Sequence, residues 1–169
     1  MAVNGKAAAR EVWVAREGKS QEADGEPLIR LQHFLPYRLS VASNVVSGRI
    51  ARFYEEKFGI GIPEWRLLAA LAELKRAVPQ DLGRTTRMDK VTVSRATRKL
   101  KTKGLVADTS NDRDGRSYFL SLTGAGEQLY AAIAPMALAY EAKLLRHFSA
   151  EDVQQLTSML QRLEAAAGE

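Results

Sequence analysis

The chain has 169 residues, of which 46% are hydrophobic and 27% charged, and this balance is typical of a single globular domain. Because cysteine is absent and only two histidines are present, disulfides, thiolate metal sites and thiol-based redox sensing are excluded, and no metal or other cofactor is expected. No apolar run approaches the roughly 20 residues of a membrane-spanning helix and no signal-peptide layout is visible, so we expect a cytoplasmic protein without membrane contact.

The net charge of +5 is unevenly distributed along the chain. Residues 75–116 hold twelve Lys and Arg against five Asp, a net charge of +7, whereas the rest of the chain carries −2. Such a local excess indicates a surface that binds a polyanion. On charge alone, a solvated Lys/Arg-rich helix explains the excess equally well, so the order of the structural elements has to distinguish the two.

The N-terminal residues 1–27 show no long helical or strand period, and their one apolar group is formed by Val12, Trp13 and Val14. This composition predicts a flexible tail. An arm that docks on a partner subunit through Trp13 is the alternative. The folded domain is predicted to span 28–169.

Helical spacing of apolar residues predicts three helices in the first half of this domain. The first covers 31–58 and has Pro36 in its first turn, where the missing N–H costs nothing. The second runs from Pro63 to Leu74. Pro79 begins a short third helix.

A basic helix is predicted next. Asp89 is a suitable N-cap because its carboxylate can accept the free N–H groups of the first turn, and Gly104 is a suitable C-terminal stop. The inward stripe consists of Val93, Ala96, Thr97 and Leu100. The opposite face is polar or cationic and carries Lys90, Thr92, Ser94, Arg95, Arg98 and Lys99.

Two β-prone runs, Leu105–Val106 and 117–122, flank a turn-rich segment and predict a β-hairpin directly after the basic helix. A long helix is then predicted to begin at Thr123, with a bend at Pro135. A capping-box pattern at Ser149 begins the last helix.

A helix, a turn, a basic helix and a hairpin with arginine at its tip are typical, in this order, of a winged helix-turn-helix. The basic helix is narrow enough for the major groove of DNA, where Thr, Ser and Arg side chains reach base edges. An arginine on the hairpin is attracted by the concentrated negative potential of a neighbouring minor groove. The pattern therefore predicts a partner of double-stranded DNA.

Three segments resemble the MarR family of bacterial transcription regulators: DKVTVSRATRKLKTKGLV (89–106), DGRSYFLSLTGAG (114–126) and HFSAEDVQQLTSMLQRLE (147–164). The most specific part is Asp-x-Arg followed by Leu-Thr-x-x-Gly, here Asp114, Arg116, Leu122, Thr123 and Gly126. The resemblance implies a mainly α fold with a small β-hairpin wing. The winged helix-turn-helix (about 63–122) would lie in an all-helical dimerisation frame (about 31–58 and 123–167).

The resemblance also implies a homodimer that binds a palindromic operator, with Arg116 in the minor groove and Asp114 as its positioning partner. The predicted DNA-contacting residues are Lys90, Thr92, Ser94, Arg95, Arg98 and Lys99 on the helix, and Arg113, Asp114 and Arg116 on the wing. The chain departs from the family at Asp108, where members often have arginine, so the corresponding phosphate contact or wing ion pair is not carried over.

The apolar faces of the first helix and the last two exceed what one small lobe can cover, so a second copy is expected to bury them. The residues assigned to these faces are Leu39, Val46, Ile50, Ile133, Leu144, Leu156 and Leu160.

Family members commonly repress genes and release DNA when a small aromatic or phenolic ligand, or an acyl-CoA, occupies a cavity between the dimer base and the DNA-binding lobe. Trp65 begins the helix that lines this cavity in the family. The remaining effector-binding candidates lie on the first helix: His33, Tyr37, Arg38, Ser40 and Asn44. A plain core role for Trp65 and a solvated His33 are the alternatives.

Catalytic patterns such as G-x-S-x-G, a Walker loop, G-x-G-x-x-G and H-E-x-x-H are absent from the sequence, so an enzyme is not expected. The leading hypothesis is a dimeric repressor that a ligand releases from its operator. The alternative is a structural DNA-binding protein that uses the same fold constitutively, without an effector.

Overall fold

A computed structural model describes residues 28–110 and 118–168. The predicted tail at 1–27 and the predicted wing residues Arg113, Asp114 and Arg116 lie outside the described residues. The chain divides into two units, residues 1–41 and residues 42–169.

The described part of the first unit consists of a 3-10 turn at Leu31–His33 and the beginning of helix α1 (Leu35–Phe58). The sequence predicted one helix from residue 31, but Phe34 has extended backbone and separates the turn from α1. Pro36 explains the break, because proline has no N–H to donate and its ring clashes with the carbonyl four residues earlier. Proline is tolerated best within the first turn of a helix, and Pro36 is the second residue of α1.

The second unit, as far as it is described, continues α1 and adds five helices. These are α2 (Ile62–Leu74), α3 (Pro79–Thr86), α4 (Lys90–Thr102), α5 (Gly124–Leu145) and α6 (Ala150–Ala167). Asp89 caps α4 through the N–H of Thr92, and Ser149 forms a capping box with Asp152, as the sequence predicted. Pro135 lies inside α5. The bend at this proline stays a prediction. None of the described helices combines the length and the apolar character needed to cross a membrane.

Three short strands form an antiparallel sheet in the order β1 (Arg76–Ala77), β3 (Tyr118–Leu122), β2 (Val106–Ser110). Val106 lies opposite Leu122 in the register of β2 with β3. The sequence predicted the two hairpin strands but not β1, because two residues are too few to show a strand period. Strand β2 also extends into the predicted turn. The sequence did not predict this extension, because the last four residues of β2 are exposed and show no alternation of apolar and polar side chains.

The core of the second unit packs α2, α3 and α4 against the sheet and the first part of α5. Its largest fully buried side chains are Tyr54, Ile60, Leu67, Leu68, Leu71, Leu82, Leu100, Leu120 and Ile133. The predicted inward stripe of α4 is buried, which confirms the orientation of that helix. Assigning Ile133 to a surface between two copies was wrong, because Ile133 is fully buried within a single chain. Ile50 is partly buried and packs against this core as well.

Candidate nucleic-acid interface and effector cavity

The outward face of α4 presents the polar and cationic side chains expected of a DNA-reading helix. Lys90, Ser94, Arg95 and Arg98 are all exposed. The buried stripe of α4 packs on the core, so this face is held away from the rest of the unit. Arginine and serine side chains on such a face can reach phosphates and base edges in a major groove.

Thr92 has a second role besides the predicted one. Its N–H donates to Asp89 Oδ1 at 2.9 Å and its hydroxyl donates to Asp89 Oδ2 at 2.6 Å. These hydrogen bonds hold the pKa of Asp89 below its usual value, the side-chain bond from Thr92 having the largest effect. The hydroxyl proton is therefore engaged at the cap, and only the oxygen of Thr92 remains available as an acceptor.

The lysines in the last turns of α4 contact other parts of the protein. Lys99 Nζ lies 3.3 Å from Glu64 Oε2, and Lys101 Nζ lies 2.6 Å from Asp108 Oδ1. Asp108 thus pairs with α4, and the hydrogen bond from Lys101 lowers the pKa of its carboxyl group. Lys103 Nζ lies 3.5 Å from a backbone carbonyl oxygen in the last residue of α1.

Sequence reasoning missed Glu64, which is 8% exposed. Its Oε2 also accepts the Gly61 N–H at 2.5 Å, so one carboxylate joins the start of α2 to the recognition helix α4. Glutamate at the third position of a helix with proline in its first turn is a capping signal, and that signal was available in the sequence. The pairing of Glu64 with Lys99 was not visible in the sequence, because Lys99 lies in another helix.

Close backbone packing ties the end of α4 to the start of α5. The Thr123 hydroxyl donates to the Gly104 carbonyl oxygen at 2.7 Å, and the Thr123 N–H donates to the Leu105 carbonyl oxygen at 3.1 Å. A Cβ at Gly126 would overlap the same Leu105 oxygen. The approach of the two backbones therefore requires glycine at 126, which gives a physical reason for the Leu-Thr-x-x-Gly pattern.

Arg76 on β1 adds a cation next to the wing. Its guanidinium carbon lies 4.2 Å from the centre of the Phe119 ring on β3. This cation–π contact holds an arginine against the base of the wing, whose tip lies outside the described residues. Sequence reasoning assigned no role to Arg76.

An open pocket of about 640 Å³, called the cavity below, lies against α2, α3 and α5. Trp65 on α2 and Tyr130 on α5 stack with ring centres 5.8 Å apart and an interplanar angle of 14°. The ring centre of Tyr54 on α1 lies 5.9 Å from that of Trp65. Burial raises the pKa of Tyr54 to about 12. The cavity is lined by Trp65, Arg66, Ala69, Ala70, Ala72, Glu73, Thr85, Thr86 and Tyr130.

Of the six effector-binding candidates, only Trp65 lines this cavity. His33, Arg38 and Ser40 are exposed and Tyr37 is half-buried in the first unit. Asn44 is exposed on α1 and is not part of the cavity lining. Sequence reasoning missed Tyr130 and the two threonines of α3, since their approach to Trp65 depends on helix packing, and it assigned no role to Arg66, the residue next to Trp65. Within 28–110 and 118–168, no group of His, Asp and Glu could hold a metal ion.

Comparisons with known proteins agree with this geometry. A family model described as the MarR family matches residues 58–117. The MarR/EmrR family transcriptional regulator from Acinetobacter sp. ADP1 is 27% identical, with a TM-score of 0.77 over 83% of this chain and 99% of that one. No curated protein matches the chain.

Two more distant structures share the fold. A mutant MarR from E. coli complexed with operator DNA is 19% identical, with a TM-score of 0.71 over 81% of this chain and 99% of that one. NadR in complex with 4-hydroxyphenylacetate is 23% identical, with a TM-score of 0.69 over 82% of this chain and 97% of that one. The basic helix, the wing strands and the family match lie in the same segment, so residues 58–117 match the winged helix-turn-helix of MarR-family, DNA-binding transcriptional regulators, and the chain shares their fold.

Proposed function

We propose that this regulator is a homodimer that represses genes from a palindromic operator and leaves it when a small aromatic or phenolic ligand, or its acyl-CoA thioester, binds. The observation that carries the proposal is the outward polar face of α4, held on a buried stripe in the segment of highest positive charge. We infer that the protein acts on DNA in the bacterial cytoplasm and performs no catalysis.

Operator binding is assigned to Lys90, Ser94, Arg95 and Arg98 of α4. Lys99 and Thr92 remain secondary contacts because their polar groups already have partners within the chain. The wing contacts of Arg113, Asp114 and Arg116 rest on the family resemblance. Arg95→Ala is expected to cost about 1–3 kcal/mol on the selected operator and to relax sequence preference. Arg116→Ala is expected to act mainly at A·T-rich flanks.

Fluorescence anisotropy with a palindromic duplex selected from a random pool, and with scrambled duplex as control, measures both variants. Equal weakening on every sequence would contradict the assignment of base readers. No preference of the unmodified protein for the selected duplex would contradict operator binding itself.

Dimerisation is supported by α6, which has no buried residue in the single chain. Its large apolar side chains recur at helical spacing and are 38–54% exposed: Leu156, Met159, Leu160 and Leu163. A second copy that covers such a face removes apolar surface from water. Analytical ultracentrifugation is expected to show a dimer at micromolar concentration, and Leu160→Glu is expected to shift it toward monomer. A stable monomer of the unmodified protein would contradict the dimer.

Ligand response is supported by the cavity beside Trp65. The stacked rings of Trp65 and Tyr130 offer an aromatic wall, and Arg66 offers a guanidinium that fits a carboxylate. Thr85 and Thr86 belong to α3, the first helix of the helix-turn-helix, so an occupant would contact the DNA-binding element directly. The complex of NadR with 4-hydroxyphenylacetate supports an aromatic acid as the ligand class. A coupling of about 1–3 kcal/mol is enough to shift the operator from mostly bound to mostly free.

The test is release of labelled operator by a panel of aromatic acids, with Trp65→Ala beside the unmodified protein. The variant is expected to bind operator and to lose the release. Asn44→Ala, on α1 and outside the cavity lining, is the matched control and is expected to respond normally. If no ligand released the unmodified protein, the constitutive alternative would be favoured. An unchanged response of Trp65→Ala would leave Trp65 as a core residue only.

A further inference from the structure

One apolar side chain stands out on the DNA-reading face of α4. Among the described residues between 59 and 122, the exposed large hydrophobic side chains are Leu74, Val91 and Tyr118, and Val91 is the most exposed at 57%. It is the second residue of α4. A β-branched residue gives an exposed helix position no stability over alanine, so folding does not explain a valine there.

The surroundings of Val91 are those of a base-reading position. At about 100° per residue, Val91, Arg95 and Arg98 fall within about 60° of one another on the helix surface. They lie opposite Val93 and Leu100, which are buried. Ser94, one turn from Val91, is exposed beside them. In helix-turn-helix proteins, the residues near the start of the recognition helix contact base edges.

We propose that Val91 reads a thymine through its C5-methyl group. The thymine methyl is the apolar feature that a base pair presents in the major groove, and aliphatic side chains recognise it by contact. The exposed Lys90 and Arg98 hold phosphates, so that Val91 and Arg95 face the bases. The proposal deepens the operator binding proposed above and rests on it. In a symmetric dimer, each half-site contains one such thymine.

Deoxyuridine tests this contact because it differs from thymidine only by the missing methyl group. A duplex selected by the full-length protein is resynthesised with each thymine replaced singly by deoxyuridine, and affinities are measured at fixed salt. We expect one position per half-site at which the unmodified protein loses about fourfold in affinity, the effect of one buried methyl-sized group. Val91→Ala lacks the two γ-methyl groups that are proposed to make this contact, so it is expected to bind the thymine and deoxyuridine duplexes equally at that position.

Val45→Ala is the matched control, because Val45 is 60% exposed on α1, outside the winged helix-turn-helix. This variant is expected to keep the fourfold preference. Since Val91 is exposed, its replacement leaves the core intact, and binding to scrambled duplex verifies that the variant is folded. Insensitivity to deoxyuridine at every position, or the same preference in Val91→Ala, would overturn the inference. Failure of the unmodified protein to select any duplex would instead overturn the proposed function.

Discussion

Lys99 of the recognition helix and Glu64 of α2 form an ion pair of 3.3 Å in which the carboxylate is almost fully buried. The same Glu64 oxygen accepts the Gly61 N–H. Lys99 keeps part of its surface exposed, so it lies between an internal partner and the face proposed to meet DNA. The pair thus positions the helix as well as contributing charge.

Glu64→Ala is expected to destabilise the protein by about 1–3 kcal/mol, because it leaves the Gly61 N–H and the Lys99 ammonium without their partner. Urea unfolding followed by circular dichroism measures the change. Glu73→Ala on the same helix is the control, since Glu73 is exposed, and it is expected to change stability by less than about 0.5 kcal/mol. Equal midpoints for the two variants would contradict the role given to Glu64.

Thr97→Val is expected to stabilise the protein by about 1 kcal/mol. In the described part of the chain, Thr97 Oγ1 is buried without a hydrogen-bond partner, so the hydroxyl is desolvated without compensation. Thr86→Val is the matched substitution and is expected to destabilise the protein, because the Thr86 hydroxyl donates to the Leu82 carbonyl oxygen at 2.6 Å and valine removes this hydrogen bond. Thermal and urea unfolding of the two variants compare them directly. A destabilised Thr97→Val would show that this hydroxyl has a partner in solution.

The cap of α4 is expected to weaken in acid. The Thr92 hydrogen bond lowers the pKa of Asp89 below 3.8, so the cap is fully formed above pH 3.8 and is lost as the pH falls through the folded-state pKa. Hydrogen exchange of the Thr92 N–H, corrected for its intrinsic rate, should therefore lose protection below pH 3.8. In Asp89→Asn this change should disappear, because asparagine caps without titrating.

The Ser149 N–H is the internal control for this experiment. It donates to Asp152 Oδ2 at 2.9 Å, and the Ser149 side chain lowers the pKa of that carboxyl group. The protection of the Ser149 N–H against hydrogen exchange should fall in acid both in the unmodified protein and in Asp89→Asn. The same acid response of the Thr92 N–H in Asp89→Asn would mean that another group controls the cap.

Salt dependence should separate the exposed arginines of α4 from the lysines that pair with Glu64 and Asp108. Each phosphate neutralised adds about 0.9 to the slope of log affinity against log salt. Arg98 is exposed on the reading face, so Arg98→Ala should reduce the slope by about 0.9 per protomer. Lys101 is held by Asp108, and Lys101→Ala should change the slope much less. Equal reductions would show that the Lys101 pair opens on DNA.

Local signals made much of the fold predictable. Both ends of α4 were predictable from Asp89 and Gly104, because helix caps and stops depend on neighbouring residues. The buried stripe with Val93 and Leu100 follows from the helical period alone. The wing strands followed from composition. Trp65 was identified through the family resemblance, whereas its neighbour Tyr130 was not.

The missed features all join distant parts of the chain. The Glu64–Lys99 pair and the Trp65–Tyr130 stack each require two helices to pack at one angle and register, which a single sequence does not reveal. Strand β1 exists because β3 supplies its hydrogen-bond partners, and its two residues carry no pattern of their own. Val91 went unremarked because an apolar residue on a polar face is notable only once the face is known to be exposed.

The backbone junction of Thr123 and Gly126 with Gly104 and Leu105 has a mechanical consequence. Because a Cβ at Gly126 would overlap the Leu105 carbonyl oxygen and the Thr123 hydroxyl donates to the Gly104 carbonyl oxygen, we expect the end of α4 and the first turn of α5 to move together. In a dimer, we therefore expect a change in the distance between the two recognition helices to arise farther along α5, and we expect Gly126→Ala to disrupt the contact between α5 and the residues that follow α4.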